Sequence, residues 1–199
     1  MSKTQYGFLV DTEKCIFCRG CIAACKMENH VGSQWQRNEV MLMGPDQTKS
    51  PAMYPVYMNC NHCENPACIA ACPVEGKALE KRSDGRVVVI PEKCDGDEFC
   101  VYACPYGAIR LTPTRNEIGF YVVDKCTYCV HKADRKPTDP GGNKPACATK
   151  CPTGAIEFGL REELLKKVKK EGREEMDFDL FNTGPSNIYL KPRGKKENI

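Results

Sequence analysis

The stretch Cys15-Ile16-Phe17-Cys18-Arg19-Gly20-Cys21-Ile22-Ala23-Ala24-Cys25 sets four cysteines at intervals of two, two and three residues. Three similar groupings follow. They are Cys60-x2-Cys63-x4-Cys68-x3-Cys72 before Pro73, Cys94-x5-Cys100-x3-Cys104 before Pro105, and Cys126-x2-Cys129-x17-Cys147-x3-Cys151 before Pro152. The chain is therefore an internal repeat of one small unit. A short run rich in β-branched and aromatic residues precedes each grouping, at residues 7–10, 56–58, 87–90 and 120–123, and reads as a strand. After three of the closing cysteines, residues 74–79, 106–109 and 153–156 read as a turn leading into another strand. The last two cysteines of each grouping stand four apart, on one face of a short helix. The proline that follows three of them cannot continue that helix.

The chain has 199 residues, of which 15 are cysteine, and a mean hydropathy of -0.49. The hydrophobic share of 41% includes those cysteines, so the aliphatic core is small for this length. Metal that binds only the folded chain would supply the missing stability. A disulfide scaffold is disfavoured by the odd cysteine count, the spacing and the lack of a secretory leader pattern. Structural zinc calls for separated cysteine pairs. Nearly regular fours are the iron–sulfur pattern. Each iron of a cubane needs its own ligand, and thiolate is the usual donor. A Cys-x2-Cys-x2-Cys loop wraps three corners, and the fourth cysteine ligates a second cluster in two-cluster ferredoxins, so the groupings should work in pairs.

The net charge of +3 and pI of about 8.1 are too mild to argue for nucleic acid. Lys166, Lys167, Lys169 and Lys170, and then Lys191, Arg193, Lys195 and Lys196, read as a solvated helix face and a tail. No apolar run reaches the roughly 18 residues that span a bilayer, so no direct membrane insertion is expected. The N-terminus lacks signal-peptide features, which points to a soluble protein. It would be cytoplasmic, or on the periplasmic side if exported with a partner.

Several local stretches carry a family resemblance: Cys15-Ile-Phe-Cys-Arg-Gly-Cys21, Ala24-Cys-Lys-Met-Glu-Asn29, Cys60-Asn-His-Cys63, Ala103-Cys-Pro-Tyr-Gly-Ala108, Lys125-Cys-Thr-Tyr-Cys129 and Ala148-Thr-Lys-Cys-Pro-Thr-Gly-Ala155. Over about residues 5–158 the chain resembles the four-cluster ferredoxin-like electron-transfer (beta) subunits of molybdenum or tungsten pterin oxidoreductases. That family includes dimethyl sulfoxide, polysulfide, thiosulfate and nitrate reductases and formate dehydrogenases, the enzymes of anaerobic respiration. The resemblance implies an α+β fold of two ferredoxin-like modules, tandem bacterial-type ferredoxin folds with insertions, followed by a C-terminal helix plus extended arm. Residues 1–55 and 115–159 would hold groupings one and four, residues 56–114 groupings two and three, and residues 160–199 the helix and docking arm.

The same resemblance implies the ligand sets. Cluster 1 takes Cys15, Cys18, Cys21 and Cys151; cluster 2 takes Cys126, Cys129, Cys147 and Cys25; cluster 3 takes Cys60, Cys63, Cys68 and Cys104. Cluster 4 takes Cys94, Cys100 and Cys72, and lacks one thiolate. Aligning Cys94-Asp-Gly-Asp97-Glu-Phe-Cys100 with the regular grouping puts Asp97 where a cysteine belongs. The expected cofactors are three [4Fe–4S] clusters and a fourth that is either [4Fe–4S] with an Asp97 ligand or [3Fe–4S] with Asp97 facing the vacancy. Carboxylate is a harder partner for this iron than thiolate, but it keeps the negative charge. Glu98 is adjacent, though the spacing favours Asp97.

Other residues have plainer readings. His62 lies inside a complete cysteine set and suits loop hydrogen bonding, while His30 and His131 read as surface or loop residues. Lys14, Lys93 and Lys125 each precede a grouping's first cysteine, where a solvated lysine is the ordinary case. Tyr57, Tyr102, Tyr106 and Tyr128 sit beside ligands and would shield clusters from water. Trp35 and Met41, Met43 and Met53 belong to an insertion over residues 26–55, either as its core or as a partner-facing patch. Residues 130–146, rich in proline and glycine, read as a loop. Leu164, Leu165 and Val168 recur at helical spacing over residues 161–171. No nucleotide-binding loop, zinc-protease motif or nucleophile–base pair is present, so no catalytic residue is expected. The resemblance implies a non-catalytic subunit that carries electrons between a large molybdenum or tungsten pterin catalytic subunit and a quinone-linked membrane subunit, a haem protein or a soluble carrier. The alternatives are a free polyferredoxin and the electron-transfer component of a hydrogenase or formate–hydrogen complex.

Overall fold

A computed structural model of the chain describes residues 4–44, 53–134, 143–179 and 181–193. Strand β1 (Tyr6–Asp11) is the centre of a three-stranded sheet. Phe8, Leu9 and Val10 are all buried, as a strand covered on both faces requires. β1 pairs antiparallel with a strand at Ile156–Leu160 and parallel with one at Ile188–Leu190. The remaining strands form three antiparallel hairpins: β2 (Asn38–Met43) with β3 (Tyr54–Asn59), β4 (Leu79–Lys81) with β5 (Val87–Val89), and β6 (Ile109–Arg115) with β7 (Tyr121–Lys125). The strands paired with β1 are then β8 and β9 in chain order.

Each cysteine grouping ends in a short helix. These are α1 (Gly20–Glu28), α2 (Ala67–Ala71), α3 (Phe99–Ala103) and, after a helical turn α4 (Val130–Ala133), α5 (Ala146–Thr149). Their shortness has a local cause. Cys72 and Cys104 precede prolines and adopt extended backbone, with ψ of 121° and 109°, because a following proline disfavours the helical region. Helix α1 packs on α5, and α2 on α3. The first and last groupings therefore meet, as do the two middle ones. One core cluster gathers Phe8, Val40, Val56, Tyr57, Tyr128 and Ile156 with four cysteines; another gathers Leu79, Val87, Ile109, Val122 and Val123 with three.

Helix α6 (Arg161–Lys170) lays Leu164 and Val168 onto Leu9, Ile188 and Leu190, as the helical spacing leads one to expect. Three sequence expectations need correction. The last segment is not simply an extended arm: β9 joins the central sheet, with Ile188, Tyr189 and Leu190 each 1% exposed. The segment after Cys129 begins as the helical turn α4 rather than a loop; residues 135–142 lie outside the described residues. The module boundaries expected at 55/56 and 114/115 fall inside β3 and β6.

The return of the chain is fastened by Arg173, whose buried guanidinium reaches Asp11 and Glu13, each at 3.1 Å, and donates to the Lys191 carbonyl. Removing one partner of a buried pair strands the other charge. Arg173→Met is therefore expected to cost about 3–5 kcal/mol, read as a lower urea midpoint for loss of secondary structure.

Candidate metal centres

All 15 cysteines are free thiols, which removes the disulfide reading. The loops that carry them share a backbone signature absent from the sequence spacing alone. The second residue after each grouping's first cysteine has positive φ: Phe17 at 57°, His62 at 44°, Gly96 at 76° and Tyr128 at 54°. Side chains other than glycine adopt this region at some cost, so its recurrence in all four loops marks one repeated turn. The first and third loops match further. Arg19 and Glu98 both have positive φ and cap helices whose second residue is a cysteine, Cys21 and Cys100. In that register Asp97 stands where Cys18 stands in the first loop.

Thiols from distant groupings come together, and two of the four expected sets share a cavity. Cys15, Cys18, Cys21 and Cys151 line one small cavity; Cys60, Cys63, Cys68 and Cys104 line another. In the second set, burial pushes Cys25 up to about 12 and Cys147 well above the ordinary thiol range. Cys126 and Cys129 add to both shifts. In the fourth, burial pushes Cys100 up to about 12, with Asp97, Cys94 and Cys72 contributing in that order. Bare thiols in such surroundings stay protonated; a bound cation must displace those protons.

The donors fit iron–sulfur clusters. Four soft sulfurs around a shared cavity suit a ligand on each iron of a cubane. Among the described residues no three His, Cys, Asp or Glu side chains close up as a single metal ion requires. Backbone N–H groups aim at the sulfurs: Ala78 at Cys72, Ala108 at Cys104 and Tyr128 at Cys126, each at 3.4 Å. Cys151 is held below the ordinary thiol range. Burial raises it, but the Thr153 hydroxyl and the N–H groups of Thr153, Ala155 and Ile156 outweigh that.

Asp97 is half-buried, and its carboxylate accepts a 2.9 Å hydrogen bond from the Phe99 N–H. Burial and the neighbouring Asp95 carboxyl raise its pKa against the pull of that N–H.

Other expectations fare unevenly. His62 is fully buried; its Nδ1 accepts from the Val87 N–H at 2.8 Å and its ring lies 3.6 Å from that of Tyr128. Burial, then Lys125 and Arg86, hold it well below the usual histidine range, so it is neutral. His131 Nε2 lies 2.9 Å from Glu28 Oε1, a partner not visible in the sequence. Trp35 is half-buried and donates to Asp124 of β7 at 3.1 Å, tying the insertion to that strand. Tyr57 and Tyr128 are buried beside thiols, but Tyr102 is 83% exposed and shields nothing. Lys14 pairs with Asp11 and Lys93 is exposed, whereas Lys125 is fully buried. Its ammonium donates to the carbonyls of Val87 and Cys126. Sequence reasoning missed Asn29, Asn59 and Asn187, whose amides bond to thiols or to one another.

Small sheets and short helices presenting sets of free thiols define an iron–sulfur protein of ferredoxin-like, mixed α/β class. Residues 51–161 match the family model of the 4Fe-4S dicluster domain. The sequence is 34% identical over 177 residues to one chain of the anaerobic dimethyl sulfoxide reductase of Escherichia coli, covering 82% of the present protein and 78% of that relative. It is 35% identical over 161 residues to the thiosulfate reductase electron transfer subunit of Salmonella typhi, covering 80% and 78%. With a tetrathionate reductase subunit of Salmonella typhimurium it shares 35% identity over 157 residues, covering 78% and 58%. The protein belongs to this family of iron–sulfur electron-transfer subunits of molybdopterin oxidoreductases, which are not catalytic by themselves. Among the described residues no helix is long and apolar enough to cross a membrane.

Proposed function

We propose that the chain carries electrons through four clusters, between a large molybdenum or tungsten pterin catalytic subunit at one end and a second redox partner, such as a quinone-linked membrane subunit, at the other. The observation that carries this is the convergence of thiols from distant groupings. Cys151 joins the Cys15–Cys18–Cys21 loop, and Cys104 joins Cys60, Cys63 and Cys68. The ligand sets proposed are Cys15, Cys18, Cys21, Cys151; Cys25, Cys126, Cys129, Cys147; Cys60, Cys63, Cys68, Cys104; and Cys72, Cys94, Cys100 with Asp97. Two ferredoxin-like modules follow from these sets, supported by the packing of α1 on α5 and of α2 on α3.

Bound clusters supply one-electron centres; the chain's part is to hold, space and shield them. The sets form a line. Helix α1 carries Cys21 of set one and Cys25 of set two, Cys147 on α5 and Cys151 two residues past its end repeat that link, and α2 with its C-cap and α3 with its C-cap do the same for sets three and four. Cys126 and Cys60 are close enough to raise the Cys126 thiol electrostatically, which joins sets two and three.

Asp97 fills the fourth corner of the last set, as a carboxylate ligand of a [4Fe–4S] cluster; a [3Fe–4S] cluster facing the same residue is the other outcome of the test. Anaerobic electron paramagnetic resonance (EPR) should show one cluster unlike the rest, and Asp97→Cys should convert it to an ordinary all-cysteine signal. Four ordinary cubanes in both forms would remove Asp97 from any corner.

The partner is tested by native purification. A tightly bound pterin-containing chain is the expected companion. A lone monomer would favour a free polyferredoxin, and a nickel–iron companion a hydrogenase component.

A further inference from the structure

Every thiol of the second set accepts a hydrogen bond from a side chain. Asn29 Nδ2, which also donates to the Cys25 carbonyl at 3.0 Å, lies 3.7 Å from Cys25 Sγ and 3.6 Å from Cys129 Sγ, so its second proton is shared between the two sulfurs. The Tyr57 hydroxyl donates to Cys147 at 3.3 Å, and Asn59 Nδ2 donates to Cys126 at 3.2 Å. The other sets receive far less. Among the described residues, side-chain partners reach only Cys151, from the Thr153 hydroxyl at 3.7 Å, and Cys63, from Thr183.

The direction of each donor is fixed by a group that has no choice of role. Arg37, a donor only, gives a hydrogen bond to Asn29 Oδ1 at 2.9 Å, so the Asn29 amine must face the sulfurs. The Phe8 backbone N–H donates to Asn187 Oδ1 at 3.0 Å, so the Asn187 amine faces Asn59 Oδ1 at 2.9 Å. That leaves the Asn59 amine for Cys126. The Cys21 carbonyl accepts from Asn38 Nδ2, which also reaches the Tyr57 hydroxyl at 3.3 Å and leaves its proton for Cys147. Asn38, Tyr57, Asn59 and Asn187 are all buried, where a polar group is costly unless satisfied. Neutral donors held this firmly against all four sulfurs suit sulfurs that carry negative charge.

Resting on the second ligand set proposed above, we infer that Asn29, Tyr57 and Asn59 raise the reduction potential of its cluster. A donor to a ligand sulfur stabilises the electron-rich, reduced state more than the oxidised one, which raises the potential. The insertion between the first and second groupings gains a purpose from this. It supplies Asn29 together with Arg37 and Asn38, the residues that orient two of the three donors. These are positioning residues for the cluster, and none touches a substrate.

The test is an anaerobic redox titration of the whole chain, in complex with its native partner, followed by EPR, with iron content measured on every sample. Tyr57→Phe keeps the ring and loses the proton; Asn29→Leu removes the amide that the two sulfurs share, at a half-buried position. Each is expected to move the midpoint of one and the same all-cysteine signal downward, the double variant further than either, with the other signals and the iron content unchanged. Cys147→Ser separates the two levels of inference. If it alters one all-cysteine signal while Tyr57→Phe and Asn29→Leu leave every midpoint in place, the donors do not raise the potential and this inference is overturned. If it alters no cluster signal, the ligand set itself is wrong.

Discussion

Stripping the iron from this chain, by anaerobic oxidation with a chelator, is expected to unfold it. Among the described residues, four of the twelve members of one core cluster and three of the nine of another are cysteines. They face the proposed cluster positions, so removing the clusters leaves polar thiols around voids in both cores. The helices that carry them are short: α2 and α3 have five residues each and α5 has four, below what stands alone in water. Measured metal binding in small metal-folded domains contributes on the order of 10 kcal/mol, comparable to the whole stability of a domain this size. Circular dichroism should therefore lose most of its secondary-structure signal together with the visible absorbance. Retention of native secondary structure after complete iron loss would mean that aliphatic packing alone carries the fold.

The second large effect is expected at Lys125. Its ammonium is fully buried, and among the described residues no carboxylate pairs with it. Val87, whose carbonyl it meets, and Ile109, its register partner across the β6–β7 hairpin, both line the cavity of Cys60, Cys63, Cys68 and Cys104. Burial pushes the Cys68 thiol up to about 12 and raises Cys104, and Lys125 opposes both shifts. A buried cation without a counterion costs several kcal/mol, so an anion at that cavity is its natural partner. A unit charge roughly 8 Å from another, at an effective dielectric of about 20, is worth on the order of 2 kcal/mol, or about 90 mV for one electron. Lys125→Met should lower the potential of the third cluster by that order. Lys125→Arg should keep most of the potential. Equal potentials in Lys125→Met and the parent would show that the charge is not felt at that cluster.

How much of this was open to sequence reading depends on range. The cysteine groupings and the strands before them are local patterns, and β1, β3, β5 and β7 lie where those runs stand. The position of Asp97 was legible for the same reason: it stands three residues after Cys94, as Cys18 does after Cys15. Long-range contacts were not legible. Three apolar residues, Ile188, Tyr189 and Leu190, in a tail of proline, glycine and charge give no local sign that they pair with β1, far away in sequence. Nothing in the sequence separates Lys125 from Lys14 and Lys93; the β6–β7 hairpin and Val87 bury it and leave the others in water. The amide donors of the second set depend on partners as distant as Phe8 and Asn187. The module boundaries implied by the family resemblance cut through β3 and β6 because each hairpin joins segments on both sides of the line.

The most direct test is an iron, zinc and acid-labile sulfide count on protein purified without oxygen. Four cysteine sets holding three cubanes and a three- or four-iron cluster should give about 15–16 irons and about 16 sulfides per chain. A few zinc ions and no labile sulfide would contradict the electron-carrying assignment at its root.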